Sequence, residues 1–191
     1  MLLDQSSNKP GSTMALVVRK LVNRTGTTLA PGSLVSFNLD FAATSGQAMT
    51  GINPSDSTDG AAGYVFGAAI APTTANIRKM MAIVDPSRTS SVADNDTFDA
   101  IFQGTGVQCL IEPSSGAGVG EWLVGTNGQY YATGQTDTEL GGTAAANATN
   151  IVKVVGQLLE AGPTGASAAL KSVNFWGGIP FAGLVCKAGA S

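Results

Sequence analysis

The chain has 191 residues, 43% of them apolar and only 12% charged, with a net charge of −3, two cysteines and no histidine. At this length a folded chain buries roughly 70% of the surface it exposes when unfolded, so no disulfide or metal staple is required. Missing histidine and sparse charge remove most of the side chains that do acid–base, nucleophilic or metal chemistry near neutral pH. That composition points away from an enzyme and away from any metal or cofactor, toward a function carried by surface. The ten basic residues are scattered, with only Arg19-Lys20 and Arg78-Lys79 adjacent, which excludes the clustered positive charge that a nucleic-acid duplex needs. No run of 18 apolar residues offers a membrane span. The 25 glycines (about 13% against a usual ~7%) and many Ala, Ser and Thr residues favour short strands and turns over long helices.

Residues 1–14 read as an N-terminal arm. They carry no apolar periodicity and reach a turn signal at Pro10-Gly11-Ser12. They also lack the basic start and long apolar stretch of a secretory signal, so synthesis in a reducing cytosol is expected. Met1, Leu2, Leu3 and Met14 are the apolar residues of the arm, either frayed or docked on a neighbour. Residues 15–22 form the first strand-like run, followed by a turn at Asn23-Arg24-Thr25-Gly26. A second turn at Leu29-Ala30-Pro31-Gly32 leads into a strand over residues 33–37. Residues 42–62 are rich in Gly, Ser, Thr and Asp and read as a long surface loop or poor strands. Residues 63–70 are apolar throughout, which suits a strand buried on both faces. Residues 75–84 are compatible with a strand or one short helix.

Residues 97–102 and 107–112 read as two further strands. The strongest local signal is Asn127-Gly128 between Trp122-Leu123-Val124-Gly125-Thr126 and Gln129-Tyr130-Tyr131-Ala132-Thr133. It predicts a type I′ hairpin, because both turn residues tolerate positive φ. That register pairs Val124 with Tyr131 and Trp122 with Thr133. Residues 137–150 read as a second loop and 151–159 as the last strong strand of a core domain spanning 15–162. Residues 163–191 read as a C-terminal tail with an aromatic, glycine-broken cluster from Phe175 to Phe181. That cluster either covers the chain's own core or packs on another subunit.

Several motifs that resemble chemistry have simpler readings. The glycine-rich run at Gly116, Gly118 and Gly120 lacks the Lys-Ser/Thr and helix start of a phosphate loop, and reads as a connector. Asn23, Asn95 and Asn147 match the glycosylation pattern by chance in a Thr-rich chain. Asp94, Asn95, Asp96 and Asp99 lack the glycine and distal glutamate of a calcium loop, and read as a solvated turn. Cys109 and Cys186 read as small buried hydrophobes, and their spacing leaves a bridge between them open. Without histidine to activate a thiolate, neither reads as catalytic.

One ordered set of motifs carries a resemblance. Residues 22–35 contain N-x-T-G-x-x-L-x-x-G-x-x-V beginning at Asn23. Gly63–Ile70, Gly104–Ile111, Val119–Val124, Gly128–Tyr130 and Val154–Gly162 follow in order. Over about residues 15–162 this set resembles the capsid decoration, or cement, proteins of tailed bacteriophages. The resemblance implies an all-β fold, a compact β-barrel-like or β-tulip domain, with an N-terminal arm and a C-terminal tail. It implies a structural virion protein on the outer capsid surface, made in the host cytoplasm. Its partners would be the major capsid protein and copies of itself, as a homodimer or homotrimer, with no cofactor and no catalytic residues to transfer. The subunit or capsid contacts would then lie in residues 1–14 and 175–184, at Met1, Leu2, Leu3, Met14, Phe175, Trp176, Ile179, Phe181 and Leu184. The competing expectations are another virion part, such as a head-fibre base or tail tube, and a carbohydrate-binding β-sandwich using Trp122, Tyr130 and Tyr131.

Overall fold

The computed structural model describes residues 15–38, 65–73, 76, 79–135, 152–178 and 184–185. The described part is all-β. Its ten strands are β1 (Val17–Asn23), β2 (Leu34–Asn38), β3 (Val65–Ile70), β4 (Met81–Val84), β5 (Thr97–Ile111), β6 (Trp122–Gly125), β7 (Ala132–Gln135), β8 (Val152–Leu158), β9 (Ala169–Phe175) and β10 (Leu184–Val185). The expected loops over 42–62 and 137–150 lie outside the described residues.

The strand pairings trace two circuits that share β5. In the first, β5 pairs with β1, β1 runs parallel to β3, and β3, β2 and β4 follow antiparallel until β4 returns to β5. In the second, β5 pairs with β9, β9 with β8, β8 with β6 and β6 with β7, and β7 meets the end of β5 at Ile111 and Ala132. Closing a sheet on itself removes the exposed edges that would otherwise template aggregation. At 15 residues β5 is about 50 Å long, enough to run through both circuits.

Each circuit encloses a core. Leu21, Leu29, Val35, Phe37, Ala69, Ala82, Val84, Val92, Phe98, Ala100 and Phe102 fill the first, where the Phe37 and Phe102 rings lie 4.5 Å apart and tilted. The second holds Val107, Cys109, Ile111, Ala117, Leu123, Ala132, Val155, Leu158, Val173 and Phe175. Leu34, Met81, Ile83 and Ile101 belong to this second core too, although their strands build the first circuit. Period-two alternation explains this: Ala82 and Val84 point into one core, Met81 and Ile83 into the other. All four residues of β4 are therefore buried. The strand-or-helix ambiguity of residues 75–84 is thus decided for a strand over its last four positions.

Three sequence expectations change. Residues 97–102 and 107–112 are not separate strands. Gly106 adopts φ +71° at a bulge between Thr105 and Val107, and the ladder to β9 continues past it. Gly-Thr-Gly at 104–106 reads as a break, but a bulge needs only one residue with positive φ. The hairpin exists with its register shifted by two: Trp122 faces Gln135 and Val124 faces Thr133. Gly128 has φ +73° while Asn127 stays at negative φ, so the turn is not type I′. Tertiary bonds stretch the loop: the Leu34 N–H donates to the Tyr130 carbonyl (2.9 Å) and the Gly128 N–H to the Pro72 carbonyl (2.8 Å). Finally, residues 169–175, grouped with the tail by sequence, form β9, an interior strand flanked by β5 and β8.

Candidate contact surface

The first described strand begins beside the end of β9. Val17, at the start of β1, lies opposite Gln103, and Phe175, at the end of β9, lies opposite Gly104. The start of β1 and the end of β9 therefore lie opposite consecutive residues of β5. Leu16 and Val18 flank the entry point and are 60% and 37% exposed.

The exit is clamped by two glycines. The Gly177 carbonyl accepts the Met81 N–H (2.9 Å) and the Lys153 ammonium (2.7 Å), and the Gly178 N–H donates to the Phe102 carbonyl (2.9 Å). A Cβ on Gly178 would sit 2.6 Å from Phe102 Cβ and 2.7 Å from its carbonyl oxygen, so only glycine lets the backbone approach this closely. Lys153 is buried, and desolvation pushes its pKa down from 10.5 to about 8.

The predicted contact residues separate into three groups. Met1, Leu2, Leu3, Met14, Ile179 and Phe181 lie outside the described residues. Leu184 opens β10, where it pairs with Lys153. Phe175 and Trp176 lie at the exit. Phe175 is fully buried in the second core, which corrects its assignment as a subunit or capsid contact: its ring is used within the chain. Trp176 is half-buried. Its Nε1–H donates to the Val154 carbonyl (3.1 Å), and its ring meets Trp122 edge-on at 6.3 Å over Val124 and Val154. Sequence reasoning missed a different exposed aliphatic set, Val119, Leu159 and Leu170, of which Val119 is 69% exposed. No periodicity marks these residues.

Several of the described ionisable groups bond within the fold. Burial pushes the Cys109 thiol up to about 12, only partly opposed by a backbone hydrogen bond at Ala132, so it stays protonated and unreactive. Cys186 lies outside the described residues. Asp94 Oδ1 accepts the Gly26 N–H (3.0 Å) and Asp85 Oδ1 the Ser87 N–H (2.9 Å). Asp99 pairs with Lys20 at 3.1 Å on a half-exposed edge, where such a pair is worth little. Among the described residues no three His, Cys, Asp or Glu side chains gather to hold a metal ion. The glycine-rich run connects β5 to β6 and packs on the turn before β9, with the Gly162 N–H donating to the Ala117 carbonyl (2.8 Å).

Asn23 is fully buried. Its Nδ2 donates to the carbonyls of Thr27 (2.8 Å), Val92 (3.2 Å) and Ala93 (3.0 Å), which leaves no amide for a glycan to attach to. Tyr130 packs on the first core and its hydroxyl accepts from Thr27 Oγ1 (3.2 Å). Trp122 packs instead with Val124, Val154 and Trp176. The expected platform of Trp122, Tyr130 and Tyr131 is therefore divided between two clusters. No protein-family model matches any part of the chain, and no curated protein sequence matches it.

Proposed function

We propose that this chain is a structural virion protein that decorates the outer surface of an icosahedral phage capsid. In this reading it cements neighbouring major capsid proteins and works with copies of itself, as a homodimer or homotrimer. The observation that carries the reading is that the start of β1 and the end of β9 lie side by side, opposite Gln103 and Gly104 of β5. An arm that joins a doubly cored scaffold beside the end of β9 suits a clamp: in this reading the body stays fixed while residues 1–14 reach neighbouring subunits. Extensions that order on binding cover much surface at an entropic cost. Repetition over a symmetric lattice turns such modest contacts into strong avidity.

The test is the copy number of the chain in purified particles, measured by quantitative mass spectrometry against the major shell protein, with and without residues 1–14. Hundreds of copies in a simple ratio, lost on truncation, are expected. A handful of copies would instead favour a fibre or tail component. Absence from particles would overturn the virion reading altogether.

A further inference from the structure

The tip of the β6–β7 hairpin carries a reactive pair that neither the cores nor the proposed capsid role uses. Asn127-Gly128 is the chain's one Asn-Gly dipeptide. Asparagine is chemically labile, because its carboxamide carbon is open to attack by the backbone nitrogen of the following residue. A side chain on that residue obstructs the attack, and glycine has none.

The structure presents this pair openly. Asn127 and Gly128 are both exposed, and a Cβ built on Gly128 would meet nothing within 4 Å. Among the described residues no group bonds the Asn127 amide. Asn95 provides the contrast: its Nδ2 donates to Asp94 Oδ2 (3.1 Å), its Oδ1 accepts from the Arg24 guanidinium, and Asp96 follows it. The Gln129 N–H donates to the Thr126 carbonyl (3.2 Å) across a turn with positive φ at Gly128, as in type II. One restraint holds the attacking nitrogen, since the Gly128 N–H donates to the Pro72 carbonyl (2.8 Å). The base of the hairpin is tied separately, by the Thr126–Thr133 hydroxyl pair and by the Leu34 N–H on the Tyr130 carbonyl. The bond to Pro72 can therefore open locally while the hairpin stays paired.

We infer that Asn127 is a site of spontaneous deamidation whose rate is set by release of the Gly128–Pro72 hydrogen bond. Once released, the Gly128 nitrogen gives its proton to solvent and attacks Asn127 Cγ. The N–Cγ bond forms, the Cγ–Nδ2 bond breaks, and the amide nitrogen takes a proton from solvent and leaves as ammonia. The nitrogen of the resulting succinimide carries no hydrogen, so while the ring lasts it cannot donate to Pro72. Water then opens the ring at either carbonyl. One product is aspartate; the other is isoaspartate, in which the backbone runs through the former side chain. Either adds a negative charge to a chain whose net charge is −3. The inference does not rest on the capsid reading, because the chemistry needs only this turn and water.

The test is to incubate the isolated full chain at mildly alkaline pH, folded and unfolded in guanidinium chloride. Peptide mapping by mass spectrometry, with enzymatic detection of isoaspartate, follows every asparagine. Asn127 is expected to convert first, to a mixture of isoaspartate and aspartate. The folded chain should react at least about twofold more slowly than the unfolded one, the smallest factor that one net hydrogen bond supplies. Pro72→Gly loosens the backbone that carries the acceptor, and should speed both the folded reaction and amide exchange at Gly128. Conversion of another asparagine before Asn127 would overturn the assignment, as would a folded Asn127 that stays intact while the unfolded chain converts fully. Equal rates in the folded and unfolded chains, or an unchanged rate in Pro72→Gly despite faster Gly128 exchange, would overturn the control by Pro72. Particle copy number reads the capsid role separately, so either proposal can fail alone.

Discussion

Replacing Phe175 by alanine separates a core residue from a contact residue. The ring is fully buried in the second core. Its backbone is opposite Gly104 on one side and Gly156 on the other, so two strands without side chains make room for it. Gly177 closes over the ring, and a Cβ placed there would come within 2.5 Å of it. Glycine backbones on three sides cannot collapse into the void by changing rotamer. The cost should therefore reach the range found for large aromatic truncations, about 3–5 kcal/mol. For a chain of this size that lowers Tm by about 6–20 °C. Urea denaturation of the isolated chain, followed by tryptophan fluorescence, would measure it, with Phe175→Leu as a milder companion. A loss below about 1 kcal/mol for Phe175→Ala would refute this account of the packing. It would also return Phe175 to the exposed contact residues, with its effect confined to particle binding.

Asn23→Ala should destabilise the chain by about 1–3 kcal/mol, because a buried amide that ties Thr27, Val92 and Ala93 together is lost, although each of those carbonyls keeps a second donor; equilibrium unfolding checks this, and a loss under about 0.5 kcal/mol, the scatter of surface changes, would contradict it. In Gly156→Ala the new Cβ would lie 2.3 Å from the Asn174 carbonyl oxygen, so β8 and β9 must separate. Amide hydrogen exchange should then accelerate along both strands, and unchanged protection there would refute the close approach. Stability should rise between pH 8 and 10.5 on account of Lys153: its folded pKa is about 8 against 10.5, so the unfolded chain binds more protons in that window. Cys109 acts oppositely between pH 9 and 12, since its folded pKa is about 12 against 9.0. Thermal melts should show the gain most cleanly from pH 8 to 9, and Lys153→Met should abolish it; an identical slope in the variant would dismiss the buried-lysine explanation.

Much of the strand framework was legible without coordinates. Residues 15–22, 33–37, 63–70 and 151–159 announce themselves by apolar and β-branched content, and all four runs contain strands. The turns at Gly26 and Gly32 were equally readable, and both glycines adopt positive φ. The candidate surface was far less legible. Trp122 and Trp176 lie far apart along the chain and meet edge-on only through the pairing of β6, β8 and β9. The sequence leaves open whether the aromatic cluster from Phe175 covers the chain's own core or another subunit, because the glycines and polar residues around it look like a tail.

What the sequence determined by itself is local: where strands begin and end, which turns need glycine, and that the chain is all-β with little reactive chemistry. Those features depend on side-chain volume, alternation and φ preference within a few residues. The tertiary structure decided how the strands close. It ran β5 unbroken through two circuits, moved the hairpin register by two residues and set residues 169–175 as a strand between β5 and β8. Each of these outcomes depends on hydrogen bonds between residues far apart in the chain, such as Leu34 to Tyr130 and Gly178 to Phe102. A backbone amide looks the same in every residue but proline, so its distant partner is chosen by packing rather than written in the neighbouring letters.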